Sequence, residues 1–156
     1  MSQTGIRGFY LLTETIEAQL LSDVNVNTVT TGDLYDIDLA KQSIFPLSHI
    51  IINNVTAEES VLRFNISVLS MDVVDESKKE TTDIFRGNND EQDILNTQLG
   101  VLNKLVMVLR KGDLYSSQYA LDGDASLEPF YDRFENKVAG WTATMDVLVA
   151  NDITIC

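Results

Sequence analysis

The sequence predicts an α+β fold: an antiparallel β-sheet with two helices packed on one face, and an extended β-hairpin or arm. Three observations carry that prediction. Apolar residues recur at helical spacing in two separate stretches, one near the start and one around residue 100. The run from Val61 to Val74, VLRFNISVLSMDVV, has strand chemistry over more than twice the usual length of about 5–6 residues. The elements follow the order helix, several strands, helix, strands, rather than the strict alternation of a parallel α/β sheet. With 156 residues the chain can bury about two thirds of the surface its unfolded form exposes, so a single domain over residues 1–156 needs no staple.

From Ile6 to Leu21 the apolar residues Phe9, Leu12, Ile16 and Leu20 fall at spacings of three and four, with Glu14 and Glu17 off the stripe. This is the pattern of an amphipathic helix. Ser22-Asp23 ends it, and Val24 to Thr31 reads as a short strand with a polar face. Gly32-Asp33 marks a turn. Tyr35, Ile37 and Leu39 then alternate with Asp36 and Asp38 as a short edge strand or loop. Pro46 has no N–H and biases Phe45 to an extended shape, so a central strand cannot cross there, and the next strand runs from Leu47 to Val55.

A loop, Thr56 to Ser60, joins that strand to the long one in a hairpin. In the long strand Leu62, Phe64, Ile66 and Val68 alternate with Arg63, Asn65 and Ser67. After Val68 the phase slips, and Leu69, Met71 and Val73 become the apolar set. The slip predicts either a bulge or a second buried surface near Leu69. A strand this long is expected to project beyond the domain body, giving an arm over about residues 70–90. The charged stretch DESKKETTDIFRGNND cannot offset its ordering entropy alone, so it reads as either a mobile loop or an arm that orders against a partner, and its two apolar residues, Ile84 and Phe85, favour the arm.

Asn88, with Glu91 three residues on, makes a capping arrangement for the second helix. Leu95, Gln98, Leu102, Leu105 and Leu109 form its stripe. Arg110 and Lys111 favour its negative end, and Gly112 suits a left-handed closing residue. Gly100 in mid-helix predicts close approach of a neighbouring backbone, since it is otherwise unfavourable by about 1 kcal/mol relative to alanine. Leu114 to Leu121 reads as a strand, Asp122-Gly123-Asp124 as a turn, and Ala125 to Phe134, with Pro129, as an irregular edge. The closing strand, Asn136 to Ala150, turns Trp141, Ala143, Met145, Val147 and Val149 one way.

The charge balance is the one unusual part of the composition. With 24 acidic against 11 basic residues the formal charge is −13, so the surface repels phosphate backbones and does not grip nucleic acid directly. Copies of such a chain can meet only through buried apolar area or asymmetrically placed charge. The single cysteine, Cys156, excludes an intrachain disulfide. No apolar run reaches membrane-spanning length and no signal-peptide pattern opens the chain, so no membrane partner is expected.

Chemistry-bearing motifs are few. His49 lies within an apolar strand pattern, which favours a structural role. Asp122, Asp124, Ser126 and Glu128 imitate the alternating ligands of a calcium loop, but Leu127 stands where the sharp turn needs glycine and Arg133 where a bidentate acid belongs. Asp36 and Asp38 are explained by a water-facing edge. An enzyme would need Asp36, Asp38 and His49 to converge. The sequence therefore predicts no catalytic, cofactor-binding or metal-binding residue and no cofactor. Phe45-Pro46-Leu47 and Pro129-Phe130-Tyr131 read either as interface anchors or as residues packed beneath their own loops.

Four segments carry a resemblance: FYLLTETIEAQLL, YDIDLAKQSIFPLSHIIINN, ILNTQLGVLNKLVMVLR and PFYDRFENKVAGWTATMDVLVANDITIC. In pattern and order they resemble the tail-terminator or tail-completion proteins of tailed bacteriophages. The resemblance implies a structural virion protein, a hexameric or dodecameric ring of identical subunits at the neck or tail end, made in the host cytoplasm. Its partners would be copies of itself and other neck, portal or tail proteins, with DNA passing through an acidic lumen without specific binding. The alternative is a monomeric adaptor that grips a partner through its long hairpin.

Overall fold

The computed structural model describes residues 4–32, 45–73, 91–112, 114, 119–133 and 138–150. They form an α+β fold of two helices and one five-stranded mixed sheet. In chain order the elements are α1 (Thr4–Leu21), β1 (Thr28–Thr31), β2 (Leu47–Ala57), β3 (Val61–Val73), α2 (Glu91–Arg110), β4 (Tyr119–Arg133) and β5 (Val138–Ala150). The strand order across the sheet is β1-β2-β3-β5-β4. Residues 33–44, 74–90 and 151–156 lie outside the described set. With them lie the alternating stretch around Tyr35–Leu39, the proposed arm with Ile84 and Phe85, the Asn88 cap, and Cys156.

Leu12, Ile16 and Leu20 of α1 are buried, as their spacing predicts. They share one apolar cluster with Val101, Leu102, Leu105, Val106 and Leu109 of α2 and with the strand residues Phe64, Ile66, Val68, Ala143, Met145, Val147 and Val149. Each large side chain in such a cluster stabilises the fold by about 1.5–3 kcal/mol through removal from water. Phe9 departs from the predicted stripe and is 47 % exposed.

The segment after α1 is a turn where the valines suggested a strand. Asp23 accepts the Asn25 N–H through Oδ1 at 2.9 Å, and the Val26 N–H bonds back to the Asp23 carbonyl at 3.1 Å. This Asp-turn chemistry outweighs the β-propensity of Val24, which is 95 % exposed. Only Thr28–Thr31 joins the sheet, and it pairs parallel with Leu47–Ile50. The sheet is therefore mixed where the sequence predicts an antiparallel one. The Asn27 and Thr28 N–H groups both donate to the Pro46 carbonyl, at 2.9 and 3.2 Å, which fixes β1 beside the entry of β2. The intervening segment, residues 32–46, is long enough to return the chain for a parallel pairing.

β2 and β3 form the expected hairpin, closed by the Glu58 N–H on the Val61 carbonyl at 2.9 Å. The phase slip in β3 resolves as a second buried surface. Val61 to Val73 pair with Ala150 to Val138 of β5 without interruption, so β3 carries no bulge against β5 and, through Val73, does not leave the sheet. Leu69 and Met71 instead join Phe45, Leu47, Phe130 and Val138 in a separate cluster on the face away from the helices. A register shift occurs in β2, between Ile52 and Asn54.

Three local expectations are corrected. Gly100 has no neighbour within 4 Å of where a Cβ would stand, so close backbone approach does not explain it. Gly112 is not among the residues of positive φ; its N–H bonds to the Leu109 carbonyl, and a Cβ there would meet the Tyr119 ring and carbonyl. Asp122-Gly123-Asp124 is no chain reversal: β4 continues through it, with a register shift between Asp122 and Ser126 and with Gly123 at φ 73°. Pro129 lies within β4, an outer strand of the sheet, where a missing N–H is tolerated.

Candidate functional site

Among the described residues, polar side chains gather on the sheet face turned away from the helices, at the end nearer the β2–β3 turn. Side chains of directly paired residues lie on one face, so the registers place Asn54, Asn65, Asp146 and Asp122 in one row, and Ile51, Ser67, Thr144 and Ser126 in the next. Asn53, two residues after Ile51, lies on the same face, and the register shift in β2 sets Asn54 there beside it. Its amide donates to Asn65 Oδ1 and to Ser67 Oγ, each at 2.9 Å. Asn65 in turn donates to Asp146 Oδ1 at 2.8 Å. A hydrogen-bonded polar ladder thus crosses β2, β3 and β5.

Arg63 extends the ladder to the edge. Its guanidinium donates to the Asp122 carboxylate of β4, and its Nε stands 3.5 Å from Glu58. The hydrogen bond to Asp122 is the largest influence on Arg63 and raises its pKa; partial desolvation opposes this, and the charges of Asp122 and Glu58 reinforce it. Arg63, a cation at any ordinary pH, thus stands between two acids beside the turn. Asp124 is likewise opposite Arg110 of α2, at 3.4 Å. The first two positions of the calcium-like pattern therefore answer to arginines, and no group of three or more metal-ligating side chains occurs among the described residues.

His49 is fully buried. Its Nε2 lies 2.8 Å from the Gly32 carbonyl, which can only accept, so Nε2 carries a proton. Its Nδ1 lies 2.6 Å from Thr30 Oγ, and in the neutral ring it accepts from that hydroxyl. Both contacts tie β2 to the end of β1, the structural role that the apolar pattern favours. Asp36 and Asp38, which an enzyme would need beside it, lie outside the described residues.

A cleft of about 220 Å³ lies where the turn after α1 meets the start of α2, lined among others by Asn25, Pro46, Asp72, Asp93, Thr97 and Gln98. Behind it, Ser70 of β3 donates to Gln98 Oε1, and both residues are buried. Asp72 Oδ1 accepts the Val73 N–H at 2.8 Å. The lining is polar and carries two carboxylates, so it attracts cations, but its deepest amide is committed to the helix–sheet contact.

Phe45, Leu47 and Phe130 are buried together in the outer-face cluster, so of the two readings of these segments the packing one applies to them. The side chain of Tyr131 lies outside the described set. The polar ladder itself was not predicted. Its members appear in the sequence as the polar alternates of strand patterns, but which of them touch depends on strand order and on the shift at Asn53. No described helix is long and apolar enough to cross a membrane. In comparisons with known proteins, no family model and no curated protein matches the chain.

Proposed function

We propose that the chain is a structural subunit that assembles with copies of itself into a hexameric or dodecameric ring, at the neck or tail end of a tailed bacteriophage. The phage setting comes from the resemblance of the four segments named above. The observation that carries self-assembly is the exposed apolar surface of the helix layer. Phe9 and Tyr10 are 47 % and 59 % exposed and pack edge to face with ring centroids 6.1 Å apart. Leu21 and Met107 are half exposed as well. Aromatic side chains are enriched among the residues that dominate protein–protein contact energies. In a chain of formal charge −13, such apolar area is what allows like-charged copies to approach. The same net charge suits a lumen through which DNA passes without adhering.

Light scattering across a concentration series, with electron microscopy of the purified protein, tests this reading. A mass of six or twelve chains and ring-shaped particles are expected. A mass of one chain at every concentration, with no rings in the micrographs, would overturn it and favour the monomeric adaptor.

A further inference from the structure

Charge is spread unevenly over the helix layer. On α1, Tyr10, Glu14, Glu17 and Leu21 follow one another at spacings of four, three and four, so they form a single stripe, and all four are exposed. Its ends are apolar and its middle is acidic. On α2, Lys104, Met107 and Lys111 stand at spacings of three and four and form an exposed stripe, with Arg110 exposed beside it. The Lys111 N–H bonds to the Met107 and Val108 carbonyls, at 3.3 and 3.2 Å, so Lys111 continues the helical turn. This second stripe is apolar at its centre and basic around it. Among the described side chains the one other basic group is Arg63, beside the β2–β3 turn.

The two stripes do not neutralise each other within one chain. Among the described residues Glu14 and Glu17 have no basic group within ion-pair distance, and Lys111 has no acid. Lys104 stands 3.6 Å from Asp23, and Arg110 stands 3.4 Å from Asp124. Both cations remain exposed, so each is open to a second carboxylate, and ion pairs of this kind contribute little on their own.

We propose that the α1 stripe of Tyr10, Glu14, Glu17 and Leu21 packs against the α2 stripe of Lys104, Met107 and Lys111 on a second copy of this chain. This rests on the self-assembly reading above and names its contact. Charge complementarity selects the occupant. Two copies of formal charge −13 repel each other in general, and this orientation brings the unpaired glutamates of one onto the basic group of the other. Tyr10, Leu21 and Met107 supply the apolar area around the ion pairs. α1 of one copy meeting α2 of the next joins unlike surfaces, the heterologous kind of contact from which rings are built.

Glu14→Lys combined with Glu17→Lys is the test, because the contact and the net charge predict opposite results. Each substitution adds two charges, moving the formal charge from −13 to −9, so general repulsion falls and association strengthens if the stripes do not meet. Sedimentation of the variant, with its fold checked by circular dichroism, is expected instead to show self-association weakened about tenfold or more. Mixing it with a second variant, Arg110→Glu combined with Lys111→Glu, is expected to restore association, since lysines on α1 then face glutamates on α2. Two folded variants that stay apart when mixed overturn the contact. Equal or stronger self-association of the first variant also overturns it and leaves self-assembly standing. A wild type that does not associate at any concentration overturns both. If a reversed chain does not fold, added salt decides with the wild type alone: weaker association at higher salt supports the contact, and unchanged or stronger association overturns it.

Discussion

Toward Val73 the outer face of the sheet is apolar and buried, while toward the β2–β3 turn it is polar and open. The first region gathers Leu47, Leu69, Met71, Phe130 and Val138; the second gathers Asn53, Asn65, Ser67, Thr144 and Asp146. The same strands supply both, and β3 and β5 keep one register across the boundary. The opposite face changes in the complementary sense. Phe64, Ile66 and Val68 lie in the helix-side cluster, and beyond them Ser70 meets Gln98 of α2. Alternation in a strand therefore records what each face meets locally, and a change of phase need not mean a change of backbone register. Here it marks the place where both faces become buried.

The sharpest test of that division is Met71→Ala. Met71 is fully buried in the outer-face cluster, so truncation removes apolar contacts and leaves a cavity, at about 2–5 kcal/mol by chemical denaturation. A loss below about 0.5 kcal/mol would show that the apolar end behaves like open surface, and the contrast between the two regions would collapse.

Much of the first region was legible in the chain. The slip from Val68 to Leu69, Met71 and Val73 announced a second buried surface or a bulge, and the helical spacing of Leu12, Ile16 and Leu20 and of Leu102, Leu105 and Leu109 located the cover of the other face. What stayed hidden depends on partners distant in sequence. β1 runs parallel to β2 from a start beside the Pro46 carbonyl, which receives the Asn27 and Thr28 N–H groups, and no local pattern encodes that pairing. Val24 has strand propensity but sits in a turn made by Asp23. The Asp-Gly-Asp of residues 122–124 has turn chemistry, yet Arg63 and Arg110 stand opposite its two acids and the strand runs on. The ladder from Asn53 to Asp146 needed a register that one sequence cannot supply.

Two glycines extend the contrast between crowded and open surroundings. Gly140 pairs with Met71 in the apolar region, and a Cβ there would meet the Ser70 carbonyl and stand 2.8 Å from Met71 Cα. Gly140 is required by packing. Gly100 in α2 meets nothing within 4 Å. Gly100→Ala is expected to stabilise the protein by up to about 1 kcal/mol through helix propensity alone, read as a raised Tm. A destabilised variant would mean that the second helix is crowded at its midpoint after all.

The smallest effect belongs to the polar region. Asp146 and Asp122 are directly opposite on β5 and β4, and like charges in that position are unfavourable. Arg63 holds Asp122, and Asn65 donates to Asp146 Oδ1. Asp146→Asn removes one charge and keeps an acceptor for Asn65. It is expected to stabilise by a few tenths of a kcal/mol, up to about 1, at low ionic strength, and the gain should shrink as added salt screens the repulsion it relieves. Melting curves at two salt concentrations measure both parts. A loss of stability at low salt would mean that the Asp146 carboxylate is needed as a charged acceptor in the ladder, and that the row is held together by ionic hydrogen bonding more than it is strained by its two acids.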